Sequence, residues 1–339
     1  MAEKITLKEI AKACNVSVAT VSRVINQTGR FSKETDEKVR QVIAQYHYQP
    51  NQAAKGLRTT CIDAIGVIVP DITNEFFSAM ILGLQKYLFE NNYSCIIFNT
   101  NESSEIEKRC FDNLLALNVS GIISANSTVD YSQLLQGQLP TVYIDRAPEH
   151  VENRSSAAFL FSDHEDGAYQ AGRELAHCGC KEVACITALA DASATELRTR
   201  GFERACRDYG LHLTREHIFT PREASMDNGY AIVEQALRQG MHCDGLFCQT
   251  DWLAIGALMA LLKNGVRVPE DMQLIGFDDI RAAKIAQVPV TTIRQPSVLL
   301  GQRAAAKMLQ MLDGYRPNGE VEKLPVQLIR RATTCLAYS

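Results

Sequence analysis

The apolar positions of this chain change period along its length. Leu7, Ile10, Ala11 and Cys14 recur at i, i+3, i+4 and i+7, the stripe of a short helix. Thr6 stands before the stripe and Glu9 follows three residues later, the pattern of a capping box. Asn15 tolerates the left-handed backbone that lets a helix turn sharply. A second helix starts at Ser17, with Thr20 at its third position. Val21, Val24 and Ile25 turn inward, Val18 adds apolar surface, and the outer positions fall to Ala19, Thr20, Ser22, Arg23 and Asn26. A third helix, capped at Ser32 with Thr35 at N3, runs through Val39, Val42 and Ile43. Beyond residue 61 short apolar runs alternate with amphipathic stretches. Strands are predicted over 64–69, 95–99, 121–125 and 141–144, with helices over 75–90, 104–117 and about 131–137. The rhythm then repeats. Strands near 158–161, 183–187, 217–220, 245–248 and 274–277 interleave with helices from Glu165, Thr195, Asp227 and Asp251, and a strand over 290–296 precedes a helix over 298–312.

Strand–helix alternation predicts parallel sheets covered on both faces, here two doubly wound subdomains in tandem. Such sheets bind ligands at the carboxyl ends of their strands, which puts a small-molecule cleft between the halves. The length of 339 residues fits two or three domains, and 46% hydrophobic residues are ample for their cores. No apolar run is long enough to span a bilayer, and the charged opening residues do not resemble a secretory leader, so a cytoplasmic location is expected. The eleven cysteines are scattered, mostly within apolar runs, and read as small buried hydrophobes. Cys178-Gly-Cys180 beside His177 lacks a second ligand pair at workable spacing, so no metal is expected.

Charge separates the two parts. Residues 1–60 hold ten Lys or Arg against five acids, while the whole chain carries −4, leaving −9 on residues 61–339. A three-helix packing unit could show the same stripes, but a basic tip on an acidic body fits one end meeting phosphates. Short side chains let a helix approach base edges, hydroxyls reach phosphates, and arginine reads guanine. No Gly-rich phosphate loop, Gly-x-Ser-x-Gly turn or metal-ligand pair is present, so neither an enzyme nor a cofactor is expected.

The stretch Thr6-Leu7 through Val16-Ser17-x-x-Thr20-Val21-Ser22-Arg23-Val24-Ile25-Asn26, with Tyr48-Gln-Pro50-Asn51-Gln-Ala53-Ala54-Lys55-Gly-Leu57, resembles the opening of the LacI/GalR family of bacterial transcription regulators, and the likeness covers essentially the whole chain. It implies a helix-turn-helix headpiece over 1–48, a hinge helix and linker over 49–61, and a periplasmic-binding-protein-like core. That core would have an N-subdomain over 62–161 and 291–320 and a C-subdomain over 162–290 and 321–339. It implies a homodimer on double-stranded, near-palindromic operator DNA. Val18, Ala19 and Arg23 would read bases, supported by Thr6, Ser17, Thr20, Ser22 and Asn26. Asn51, Ala54, Lys55 and Leu57 of the hinge would lie in the minor groove, with Leu57 wedging a base step. The dimer would be built mainly from the helix over 75–90, through Met80, Leu84, Tyr87 and Leu88, although that apolar face could pack on its own sheet instead or as well.

The same resemblance assigns a small effector to the cleft, a sugar or sugar derivative, with purine-like effectors the family's alternative. Arg198 and Asp278 match family ligand positions, and Asp145 ends another strand. Thr250 stands where the family often has Asn, which alters or removes that contact. Phe76 either stacks on a ring or packs in the core, and Glu75 replaces the usual Pro beside it. Asp251, at a helix start, reads as a cap. The expected role is a repressor of carbohydrate-utilisation genes. A solute-binding protein would share the body but lack residues 6–57.

Overall fold

In a computed structural model the chain divides into a unit of residues 1–62 and a unit of residues 63–339. The structure describes residues 5–26, 28–46, 48, 62–125, 139–148, 156–189 and 193–335. The predicted helix near 131–137 and the hinge residues Asn51, Ala54, Lys55 and Leu57 lie outside them.

The first unit contains α1 (Leu7–Cys14), α2 (Val18–Asn26) and α3 (Lys33–Gln45). The capping box forms at Thr6: its hydroxyl accepts from Glu9 N at 3.4 Å and the Glu9 carboxylate accepts from Thr6 N at 2.6 Å. Those bonds hold the Glu9 carboxyl below its ordinary range. Asn15 closes α1 with φ of 55°, the left-handed value that permits the turn. Ile10, Ala11, Cys14, Val21, Val24 and Val39 form the core between the three helices.

The second unit holds two six-stranded sheets of the same winding. The first runs β11-β5-β4-β3-β1-β2 and the second β12-β10-β9-β8-β6-β7. In chain order these are β1 (Ile62–Val69), β2 (Ser94–Asn99), β3 (Val119–Ser124), β4 (Thr141–Ile144), β5 (Ala157–Ser162), β6 (Val183–Ile186), β7 (Ile218–Phe219), β8 (Gly245–Cys248), β9 (Gln273–Asp278), β10 (Thr291–Arg294), β11 (Val321–Leu324) and β12 (Gln327–Ile329). The helices are α4 (Glu75–Glu90), α5 (Ser104–Ala116), α6 (His164–His177), α7 (Ser193–Tyr209), α8 (Met226–Arg238), α9 (Asp251–Lys263), α10 (Arg281–Ile285) and α11 (Ser297–Leu312). Strand β12 runs antiparallel to β10, whereas β5 pairs with β11, and β9 with β10, in parallel. Buried strands such as β8 and residues 274–277 of β9 read as unbroken apolar runs because helices cover both faces.

The chain crosses between the sheets after β5, after β10 and between β11 and β12. These crossings differ from the boundaries expected at 291 and 321. Strand β10 stays in the second sheet beside β9, with Ile293 in a core that includes Phe277. Strand β11 joins the first sheet beside β5. An apolar run marks a strand but not the sheet edge that receives it. Helix α11 does return to the first half, where Leu300, Ala304, Ala305 and Met308 join its core.

Met80, Leu84 and Leu88 of α4 are buried in the core of the first half, the packing on its own sheet that the sequence also allowed. The exposed apolar residues of this helix are Leu82 and Phe89.

Candidate functional site

In the headpiece, the Ser17 hydroxyl caps α2 by accepting from Thr20 N at 3.0 Å and lies 2.8 Å from the Thr20 hydroxyl. Ala19 and Arg23, one turn apart, are exposed on its outer side. Val18 and Ser22 are half-buried, Val18 against the headpiece core. Thr6 is exposed beside the cap of α1. This surface offers one guanidinium, small side chains and hydroxyls already oriented by capping, the equipment of a helix that approaches base edges closely.

The second unit gathers its polar residues where parallel strands end. Asp145 follows β4 with φ of 64°, and Asp278 closes β9 with φ of 120°. Both backbones lie where L-residues carry strain, and such residues persist when the surroundings fix them. Arg198 projects from α7 between them. It is 5% exposed, its Cζ sits 3.9 Å from the centre of the Phe277 ring, and its Nη1 donates to Gln249 O at 2.5 Å. Its Nη2 lies 3.8 Å from Asp278 Oδ1, an ion pair rather than a hydrogen bond. Asp278 Oδ1 accepts instead from Gln295 Nε2 at 2.7 Å.

Burial pushes the Asp278 carboxyl up to about 7, although Arg198 and Gln295 pull the other way. Asp145 is also desolvated, but His164, Arg198 and Arg146 together hold it below the ordinary range. His164 Nε2 lies 3.3 Å from the Asp145 carbonyl oxygen and 3.4 Å from its Oδ1. Only the carbonyl contact has hydrogen-bond geometry, so Asp145 Oδ1 is buried without a bond, as is Gln295 Oε1. Two buried acceptors in one site call for donors.

The structure therefore brings Arg198, Asp145 and Asp278 together and gives two other candidates partners of their own. Phe76 is 5% exposed, meets Phe77 edge-on at 5.1 Å and belongs to the core of the first half. The Thr250 hydroxyl accepts from Leu253 N at 3.3 Å and caps α9, so Thr250 is the cap expected of Asp251. The Asp251 carboxylate instead accepts from Ile280 N at 2.9 Å and from the Thr292 hydroxyl at 2.6 Å. It thereby fixes the loop that follows Asp278, and burial raises its carboxyl well above the ordinary value. Glu75, the departure from the family pattern, accepts from Arg281 N at 2.5 Å and links α4 to α10 across the two halves.

Sequence reasoning missed His164, Gln249 and Gln295. Each lies just beyond the carboxyl end of a parallel strand, β5, β8 and β10. That position had already selected Asp145 and Asp278, so the signal was present.

Residues 6–51 match the family of bacterial regulatory proteins, lacI family, and residues 173–334 match a periplasmic binding protein-like domain. The HTH-type transcriptional repressor PurR of Haemophilus influenzae (strain PittEE) is 31% identical over 340 residues, covering 96% of this chain and 98% of that protein. This chain belongs to the LacI family. A ribose operon repressor of Halalkalibacterium halodurans is 30% identical, with 97% of each chain covered. Among solved structures, the lac repressor dimer bound to operator and the anti-inducer ONPF aligns with a TM-score of 0.87 at 25% identity, over 98% of this chain and 100% of that one. The complex of the transcriptional regulator CelR with cellobiose aligns with a TM-score of 0.73 at 26% identity, covering 97% and 99%. This LacI-family chain thus joins a helix-turn-helix headpiece to a periplasmic-binding-protein-like core. Among its described residues no helix is long and apolar enough to cross a membrane, and no group of three or more His, Cys, Asp and Glu could hold a metal ion.

Proposed function

We propose that this protein is a dimeric, cytoplasmic transcriptional repressor, not an enzyme, that binds a near-palindromic operator and responds to an uncharged, sugar-like effector. Its headpiece over 1–48 enters the major groove and its hinge over 49–61 the minor groove. Val18, Ala19 and Arg23 read bases; Thr6, Ser17, Thr20, Ser22 and Asn26 contact the backbone; Asn51, Ala54, Lys55 and Leu57 act from the hinge. Arg198, Asp145 and Asp278 hold the effector, with Thr250 at the margin. Phe76 drops out because its ring is enclosed by the core.

One observation carries the effector reading. Asp145 Oδ1 and Gln295 Oε1 are buried without hydrogen bonds around a guanidinium that can donate more bonds than its neighbours accept. A polyol supplies hydroxyl donors for the acceptors and hydroxyl oxygens for Arg198, without adding charge to a site where acids and arginines nearly balance. Effector and operator would then be linked by a coupling free energy of about 1–3 kcal/mol.

A gel shift of the full chain on DNA upstream of the genes it controls, with and without D-ribose, cellobiose and other neutral sugars, tests this reading. Binding that no neutral sugar alters would refute the effector assignment. Absence of DNA binding would favour a solute-binding protein. Arg23→Ala should weaken binding and broaden base preference at one position of each half-site, by about 1–3 kcal/mol of lost discrimination. A binding-site selection that returns the parental motif would overturn that assignment.

The Asp278 carboxyl adds a pH dependence. Hydroxyl donors favour its ionised form, so effector affinity should rise with pH through about 7, by no more than about tenfold per unit. For stability the sign is opposite. The folded value exceeds the unfolded one, so the contribution of Asp278 is fully present below the ordinary value of 3.8 and is lost as pH climbs to about 7. Asp278→Asn should flatten both profiles.

A further inference from the structure

His164 opens α6, two residues past the end of β5, and is 1% exposed. Its two ring nitrogens face groups of opposite kind. Nδ1 lies 3.3 Å from Arg198 Nε and 3.3 Å from Arg198 Nη2. A guanidinium only donates, so Nδ1 must present its lone pair. Nε2 lies 3.3 Å from the Asp145 carbonyl and 3.4 Å from its carboxylate, both of them acceptors, so Nε2 must carry the hydrogen. The Phe277 ring, 6.1 Å away between centroids, packs beside the imidazole. The charged groups around this centre are Arg198 from α7, Asp145 and Arg146 after β4, and Asp278 at the end of β9.

We propose that His164 is the positioning residue of the effector site: a neutral imidazole fixed in its Nε2–H form, aiming Arg198 through Nδ1 and tying it to Asp145 on the other half. Its functional meaning rests on the effector reading above, but its chemistry does not. Asp145 follows a strand of the first sheet and Arg198 belongs to a helix on the second, so the imidazole spans the two halves. It also decides what Arg198 has left to offer. One hydrogen on Nη1 goes to Gln249 O, and Nε and one hydrogen on Nη2 go to His164. Of the five guanidinium hydrogens that leaves one on each terminal nitrogen, a pair suited to two neighbouring hydroxyl oxygens. A protonated ring would turn Nδ1–H against the guanidinium. Burial and the Arg198 charge both oppose that and outweigh the pull of Asp145, so the pKa of the imidazole is lowered.

Two measurements on the full chain decide the matter without any effector. In the first, the protein is labelled with nitrogen-15 histidine and its imidazole spectrum is followed from about pH 5.5 to 8, around the ordinary histidine value. His164→Asn identifies the signal of residue 164. One imidazole should keep the neutral Nε2–H pattern throughout. A charged ring, or the Nδ1–H form, overturns the proposal.

The second measurement is a cycle of thermal midpoints. His164→Leu should lower the midpoint more in the parent than in an Arg198→Met background. His164→Asn, whose amide oxygen can stand near the Nδ1 position, should recover most of the loss in the parent alone. Equal losses in both backgrounds would overturn the proposal, and if the Leu variant does not fold, the Asn variant and the parental spectrum still decide. The two ideas also fail separately. A neutral sugar that releases operator from a protein with the Nδ1–H form would sink this assignment and leave the effector reading standing, and the converse pair of results would do the reverse.

Discussion

Arg198→Ala should abolish the effect of any effector on operator binding while leaving operator affinity within a factor of about three. It should also lower the unfolding free energy by about 3–5 kcal/mol, because removing one partner of a buried ion pair leaves the other charge uncompensated. Here the guanidinium lies among Asp145, Asp278, His164 and the Gln249 carbonyl, and covers the Phe277 ring. Alanine would leave Asp145 desolvated beside Asp278 and would strip His164 of its donors. Urea melts and gel-shift titrations of the same preparation measure the two effects. Asp278→Asn separates them. The amide oxygen can still accept from Gln295, so the effector response should weaken with a stability change of about 1 kcal/mol or less. If Arg198→Ala keeps the response and loses the operator, the effector site has been placed in the wrong part of the chain.

Gly301→Val should destabilise the second unit by about 3 kcal/mol or more, and much of the protein should become insoluble. A Cβ at residue 301 would stand 2.0 Å from the Met80 carbonyl oxygen, which is main chain and cannot swing away. The contact is reciprocal, since a Cβ at Gly83 would meet Val298 O at 2.2 Å. Helices α4 and α11 therefore touch backbone to backbone, and α11 is the segment that returns from the other half. Separating them opens the core around Met80, Leu84 and Met308. Leu299→Ala, on the exposed side of α11, is the control and should change stability by about 0.5 kcal/mol or less. A soluble Gly301→Val protein with the parental thermal midpoint would mean that the helices can part without loss.

Much of the architecture was legible in the residues because local physics dictates it. The cap at Thr6, the left-handed Asn15, the cap at Ser17 and the inward Val21 and Val24 each follow from a spacing of three or four residues. The same holds for α4, α9 and most strands, whose burial on both faces writes continuous apolar runs. Strand-end aspartates pointed to Asp145 and Asp278 because parallel sheets present their carboxyl ends to ligands.

Other features depend on residues far apart in sequence. Phe76 had the composition of a stacking platform, but whether a ring faces a cleft or a core depends on what lies opposite, here Phe77 and the first sheet. Asp251 looked like a cap, yet Thr250 took that place and the carboxylate turned to Ile280 and Thr292. No local pattern tells β10 to stay beside β9 or β11 to join β5, since apolar alternation is silent about which sheet edge is open. His164 shows the division most plainly. Its sequence neighbours explain a residue at the start of a helix, whereas its tautomer and its neutrality follow from Arg198, 34 positions later, and Asp145, 19 positions earlier. The sequence by itself determined the elements, the headpiece and the kind of chemistry at the strand ends. Tertiary structure alone decided which side chains meet there, because hydrogen-bond partners and burial depend on through-space neighbours that periodicity does not encode.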